Sequence, residues 1–191
     1  LSGCYNSALS AKQEYEEKYP ARHVHVIDSL STGPEMVLII EKLQELILSG
    51  KDENDIVKEI ADYTEHTHLL FSLETLTNLE NNGRVSPAIA KLAGILGIRV
   101  IGQASSQGEL QLLGKCRGEQ CTLSGILRQL KSMGYQGGKI RISHNGNEKT
   151  ALHLKTLILE NFQASDIRIL TTRALCSFYA EKGGILVGVE C

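Results

Sequence analysis

The sequence predicts a two-part α/β protein. Residues 1–66 read as the end of a wound α/β domain, and residues 67–191 as an α+β domain with a mixed or antiparallel sheet. Three observations carry this reading. Helical three-and-four spacing dominates up to residue 65, interrupted by one short β-branched run. The rhythm changes at Thr67, beyond which short strand-like runs alternate with helices. Two adjacent runs, 99–104 and 109–115, are separated by the turn Ser105-Ser106-Gln107-Gly108, the signature of an antiparallel hairpin.

In the first part, Tyr5, Ala8, Leu9 and Lys12 share one helical face over residues 3–18, and Pro20 closes the segment. Arg22 to Asp28 alternates into Val24 and Val26 and predicts a short strand ending at Asp28-Ser29. After a polar loop, Pro34 sits where a helix can begin, and Met36 to Leu48 continues it to Gly50. Asp52 then reads as the N-cap of a helix reaching Glu65.

In the second part, residues 68–73 predict a strand, 74–81 a short helix, and Asn82-Gly83 a turn able to adopt positive φ. Ser86-Pro87 caps and starts a helix running to Leu96. The hairpin follows, then a helix over 118–133, a strand over 139–144, a helix over 148–162 and a strand over 166–171. Residues 177–182 read as helix or turn and 185–189 as a last strand.

Composition narrows the function. With 42% hydrophobic and 22% charged residues, the chain can bury a core without staples. A formal net charge of -2 gives no sign of a general nucleic-acid binder. The longest apolar run, Met36 to Ile40, is too short for a transmembrane segment, and no signal peptide is visible. The chain opens Leu1-Ser2-Gly3 without a methionine, which reads as the middle of something, so an upstream segment is expected. Five cysteines without regular spacing argue against a secreted disulfide framework and for a cytoplasmic protein with reduced thiols. Cys116-x4-Cys121 lacks the second pair or nearby histidine that a zinc site needs. No P-loop, dinucleotide fingerprint or catalytic triad is present, so no cofactor and no catalysis are expected.

Candidate binding residues follow from position. Ser2, Gly3 and Cys4 open a helix, whose start offers N–H donors and a favourable dipole to an anion; Ser2 could equally cap its own helix. Asp28 and Ser29 lie at a strand's carboxyl end, where α/β sheets place ligands, or they order the loop through an Asx-type bond. Arg84, after a tight turn, could gate a pocket or steady a charged head group, or be an exposed structural arginine. Lys115, Arg117, Lys131, Lys139 and Arg141 could form a docking patch, although solvated faces commonly carry such charges. His23 with His25, and His66 with His68, have a chelating spacing without a supporting ligand. Leu92, Ile95, Leu96, Ile101, Leu112 and Ile142 could line a pocket or simply fill a core.

Four stretches, in order, resemble motifs of the DegV family. They are Leu1-Ser2-Gly3-Cys4-Tyr5-Asn6-Ser7-Ala8, then Val26-Ile27-Asp28-Ser29, then the run Leu76 to Ser86 containing Gly83-Arg84-Val85-Ser86, and Gly114-Lys115-Cys116-Arg117-Gly118. The resemblance implies two domains enclosing an apolar tunnel for a long-chain fatty acid. In bacteria, members present the acid's carboxyl group to a separate fatty acid kinase. It implies head-group contacts from an upstream threonine, from Ser2, and from a C-terminal histidine whose place Tyr179 takes here. The alternative is the same fold binding another anionic apolar ligand in a regulatory role without phosphotransfer. A third reading, a kinase-type enzyme, would require a nucleotide or metal site. A tail of about sixteen carbons would contribute on the order of 12 kcal/mol gross, before binding costs, so the tail sets affinity and the head sets orientation.

Overall fold

The computed structural model describes residues 3–91, 97–163 and 166–191. Its centre is a six-stranded sheet in the order β3-β2-β1-β6-β4-β5. The strands are β1 (Thr67–Leu73), β2 (Ile98–Ala104), β3 (Leu110–Arg117), β4 (Lys139–His144), β5 (Asp166–Thr171) and β6 (Ile185–Glu190). Only β4 and β5 run parallel; every other neighbouring pair is antiparallel. The sheet is therefore mixed, as the sequence predicts.

Three helices precede the sheet: α1 (Cys4–Lys18), α2 (Pro34–Leu48) and α3 (Glu53–Glu65). Asp52 caps α3 by accepting from the Asp55 N–H at 3.1 Å. Between strands lie α4 (Thr77–Asn81), α5 (Pro87–Ala90), α6 (Gly118–Ser132), α7 (Glu148–Asn161) and α8 (Ala174–Ala180). Ser86 caps α5 through Ile89; the predicted continuation of that helix to Leu96 lies outside the described residues. The hairpin turn between β2 and β3 is closed by the Ser105 hydroxyl, which accepts from Gln107 and Glu109 N–H groups. Gly108, at φ 70, supplies the left-handed position that this turn requires. The last helix begins earlier than the predicted 177–182 and stops at Glu181, whose φ is 51.

One expected element is absent. Residues 22–28 form no regular element and pair with no strand among the described residues. Alternation describes which side chains are half-buried, whereas a strand also needs a neighbour to take its backbone bonds. Here the Val24 N–H goes instead to the Glu16 carboxylate of α1, at 2.9 Å.

The sheet's two faces are covered differently. On one, Leu123, Ile126 and Leu130 of α6 and Ala151, Leu154 and Ile158 of α7 pack on Leu70, Ile140, Ile142, Ile185, Val187 and Val189. On the other, the start of α2 lies against β6 at Gly188, where a Cβ would stand 2.5 Å from the Glu35 backbone nitrogen. Leu38, Ile39 and Leu46 of α2 then pack against Ile60 and Tyr63 of α3.

Alternation along β4 sends Ile140 and Ile142 into the α6–α7 core, so Arg141 points to the α2 side, where its side chain is 0% exposed. A buried guanidinium costs several kcal/mol unless all its donors are used. Here they are. Nε and Nη2 donate to Glu41 of α2 at 3.0 and 2.5 Å, and Nη2 also reaches Asp166 at 2.6 Å. Nη1 donates to the Ile140 and Asp166 carbonyls. Glu41 is thereby the pin between α2 and the sheet. Replacing Glu41 with Ala strands part of a buried charge and lowers stability by about 3 kcal/mol. The neighbouring pair of Lys139 and Glu45 is partly exposed, so Glu45→Ala costs less than about 1 kcal/mol. Urea unfolding midpoints at constant slope measure both; equal effects would contradict this assignment.

Candidate functional site

On the α2 side of the sheet, next to α2 itself, lies a second apolar cluster. β1 contributes Leu69, Phe71 and Leu73, and the register sets Leu186 beside Phe71 and Val100 beside Leu73. Leu76, Leu79, Ala90 and Ala180 close over them from the short helices α4, α5 and α8 and their flanks. Val85, Ile89, Leu112 and Tyr179 pack around its edge, partly buried. Gly102 makes room for the Phe71 ring: a Cβ there would lie 2.2 Å from Phe71 Cζ. Apart from Phe71, Cys176 and Tyr179 the lining is aliphatic, a surface suited to a flexible hydrocarbon.

At Leu69 and Ala104 this cluster adjoins a cleft of about 980 Å³. Loop 25–30, α3, the start of β1 and the hairpin tip enclose it, and Asp28, Ser29, Glu35, Thr67, His68 and Gln103 give it a polar wall. The loop and the hairpin meet where a Cβ on Gly108 would lie 3.1 Å from the Leu30 carbonyl. Leu30 itself has a φ of 49. Two local bonds shape the loop: Asp28 accepts from the Leu30 N–H at 3.3 Å, and the Ser29 hydroxyl accepts from the Ser31 N–H at 3.4 Å. The Asx-type bond weighed for Asp28 is thus present.

Glu35 is the group that sequence reading missed. It sits in the first turn of α2 and is 4% exposed. The Thr67 hydroxyl donates to one carboxylate oxygen at 3.0 Å and the Ser31 hydroxyl to the other. Burial raises its pKa above the ordinary value, against the lowering effect of these two bonds. Directly after Pro34, an acidic residue reads as an exposed complement to the helix dipole, so its type gives no warning. The available signal was Gly188, a glycine inside a Val-rich strand, which marks a close backbone approach. His68, across the cleft, is shifted down by burial and by His66.

The structure separates the candidates. Asp28 and Ser29 both line the cleft, at the end of an unpaired segment rather than at a strand's carboxyl end. Gly3 and Cys4 are exposed at the start of α1, where Gly3 is the N-cap without a side-chain cap bond and no acidic residue occupies the first turn. Ser2 lies outside the described residues. Tyr179 borders the apolar cluster, edge-on to Phe178 with centroids 5.1 Å apart. Arg84 is exposed, and its N–H donates to the Leu79 carbonyl at 2.7 Å. Of the pocket candidates, Ile101 and Ile142 are buried core, Leu112 packs at the cluster's edge, and Leu92, Ile95 and Leu96 lie outside the described residues. The docking patch loses Arg141, which is buried, and Lys139, which is paired with Glu45. His23 and His25 share no strand face, because residues 22–28 form no strand. Among the described residues, no group of three or more His, Cys, Asp and Glu could hold a metal ion. No helix there is long and apolar enough to cross a membrane.

These features define a three-layer α/β protein whose aliphatic cluster adjoins a polar cleft. The family model described as "Uncharacterised protein, DegV family" matches residues 1–190, and the chain belongs to that family. A DegV domain-containing protein of Streptococcus gordonii is 44% identical over 190 residues, spanning 100% of this chain and 68% of the relative. A DegV family protein from Eubacterium eligens, loaded with heptadecanoic acid, is 45% identical with a TM-score of 0.97. It covers 100% of this chain and 69% of its own. The Fatty Acid Kinase (Fak) B3 protein of Streptococcus pneumoniae, loaded with linoleic acid, is 46% identical with a TM-score of 0.97, over 100% and 68% of the two chains.

Because the folded pKa of Glu35 lies above its ordinary value of 4.5, the protonated side chain favours the folded state. Its contribution is fully present below pH 4.5 and is lost as pH rises through the folded value. His68, shifted down, works in the opposite direction, so the comparison must be with a variant. Urea midpoints from pH 4 to about 8 are expected to show wild type losing stability relative to Glu35→Gln as pH rises. A pH-independent difference between the two would contradict the burial argument.

Proposed function

We propose that this protein binds a long-chain fatty acid, with its tail along the aliphatic cluster between the sheet and helices α4, α5 and α8. The observation that carries this reading is that cluster. It is a nearly all-aliphatic face roofed by short helices, in a fold matching the fatty-acid-loaded Eubacterium eligens and Streptococcus pneumoniae proteins at a TM-score of 0.97. The head group lies near Ser2 and the N–H groups at the start of α1. No acidic side chain opposes an anion in the first turn of α1. The cleft wall suits a carboxylate less well, because Asp28 and Glu35 are themselves acceptors and the Thr67 hydroxyl is already committed to Glu35. Asp28 and Ser29 therefore order the adjoining loop, Tyr179 closes the edge of the cluster, and Arg84 lies at its rim.

The protein serves as a cytoplasmic carrier rather than an enzyme, presenting the acyl group to a separate fatty acid kinase. The proposed division near residue 66 follows chain order, with α2 from the first part packed on the sheet of the second through Glu41 and Gly188. Denaturing the purified bacterial protein releases a fatty acid detectable by mass spectrometry. Ser2→Ala weakens oleate binding roughly ten- to a hundredfold, the worth of one hydrogen bond to a charged group. Lipid-free preparations that fail to bind oleate or palmitate would overturn the reading. Binding with no phosphorylation by the kinase would instead support the regulatory role without phosphotransfer, to which Tyr179 in the histidine's place points.

A further inference from the structure

Cys116 and Cys121 play no part in the proposed fatty-acid site, yet the fold brings them into contact. Cys116 is the next-to-last residue of the edge strand β3, and Cys121 is the fourth residue of α6. Between them, Gly118 adopts a φ of 78 and its N–H donates to the Gly97 carbonyl at 2.9 Å. This turn folds α6 back over the strand it follows. As a result, Cys116 Sγ donates to the Cys121 carbonyl at 3.1 Å. Space for the pair comes from the same face of α6 one turn later. At Gly125 a Cβ would stand 3.4 Å from Cys116 Sγ and 2.4 Å from Ile101 Cδ1. Cys121 is exposed and Cys116 half-buried.

We propose that Cys116 and Cys121 form a reversible dithiol–disulfide site, oxidised by low-molecular-weight disulfides. The exposed Cys121 thiolate attacks one sulfur of the small disulfide, forming a mixed disulfide and expelling one thiolate. Cys116 then loses its proton and attacks the Cys121 sulfur, expelling the second. Two protein thiols and one small disulfide become one protein disulfide and two small thiols, and two electrons and two protons pass to the small molecule. The order follows from access, and from burial together with the bond to Cys121, which push the Cys116 thiol up to about 11 and make it the slower attacker. The bond pins the start of α6 to the edge strand, between Lys115 and Arg117.

The test equilibrates the protein with mixtures of oxidised and reduced glutathione, followed by alkylation and non-reducing tryptic digestion. The five free thiols of the reduced chain are expected to fall to three. The peptide Gly118–Arg128 should carry the dipeptide Cys116-Arg117 through a disulfide, and reduction should release it. Cys116→Ser is expected to accumulate glutathione on Cys121 without resolving it, and Cys121→Ser to lose the cross-link. Full alkylation of both cysteines at every ratio, or a cross-link joining either to Cys4, Cys176 or Cys191, would overturn the proposal. The wild-type digest decides this even if a variant misfolds.

Discussion

Arg141 joins α2 to the sheet. Its guanidinium has no contact with solvent, yet stands in the middle of β4 between two isoleucines that face the opposite core. Such a charge is tolerable only when carboxylates reach it with good geometry. Glu41 arrives from α2 and Asp166 from β5, so the demand of one side chain fixes a helix from the first part of the chain against the sheet of the second. Arg168 adds a more exposed bond to the same Glu41 at 3.2 Å. Gly188 completes the seat by letting the start of α2 touch the β6 backbone.

With α2 held there, the sheet's faces take different roles. The α6–α7 face is sealed by two helices of 15 and 14 residues, each sending several fully buried aliphatics onto the central strands. The other face, beside α2, is roofed by helices of 5, 4 and 7 residues. Short helices bury few residues each and open at lower cost than long ones. The chain thus places its most easily parted contacts over the largely aliphatic surface proposed for the acyl tail. The buried Glu35, bonded to Thr67 and Ser31, anchors the loop at the boundary between that surface and the cleft.

Local chemistry was legible in the sequence. The caps at Asp52 and Ser86, the helix start at Pro34 and the turn ending at Gly108 were readable because each depends on neighbours a few residues away. Sheet order was not, since the placement of β6 depends on contacts more than a hundred residues away in β1 and more than forty away in β4. The same distinction explains the errors. Residues 22–28 carry a strand's alternation, but pairing depends on a partner that local pattern cannot supply. Arg141 alternates with isoleucines as a solvated residue would, and only the arrival of α2 makes its face an interior one. The candidate site divides likewise: the motif around Ser2 was readable as a family pattern, whereas the burial of Glu35 follows from the packing of α2 on Gly188.

We place the acyl tail on the face bearing Phe71 and Leu186. An electron-density map of the protein crystallised with a bound fatty acid tests this placement most directly. The expected result is a continuous tube of density running from the start of α1 to between the sheet and α4, α5 and α8, in contact with Phe71. A tail on the α6–α7 face, or a crystal grown with saturating fatty acid that shows no density between those helices and the sheet, would contradict it.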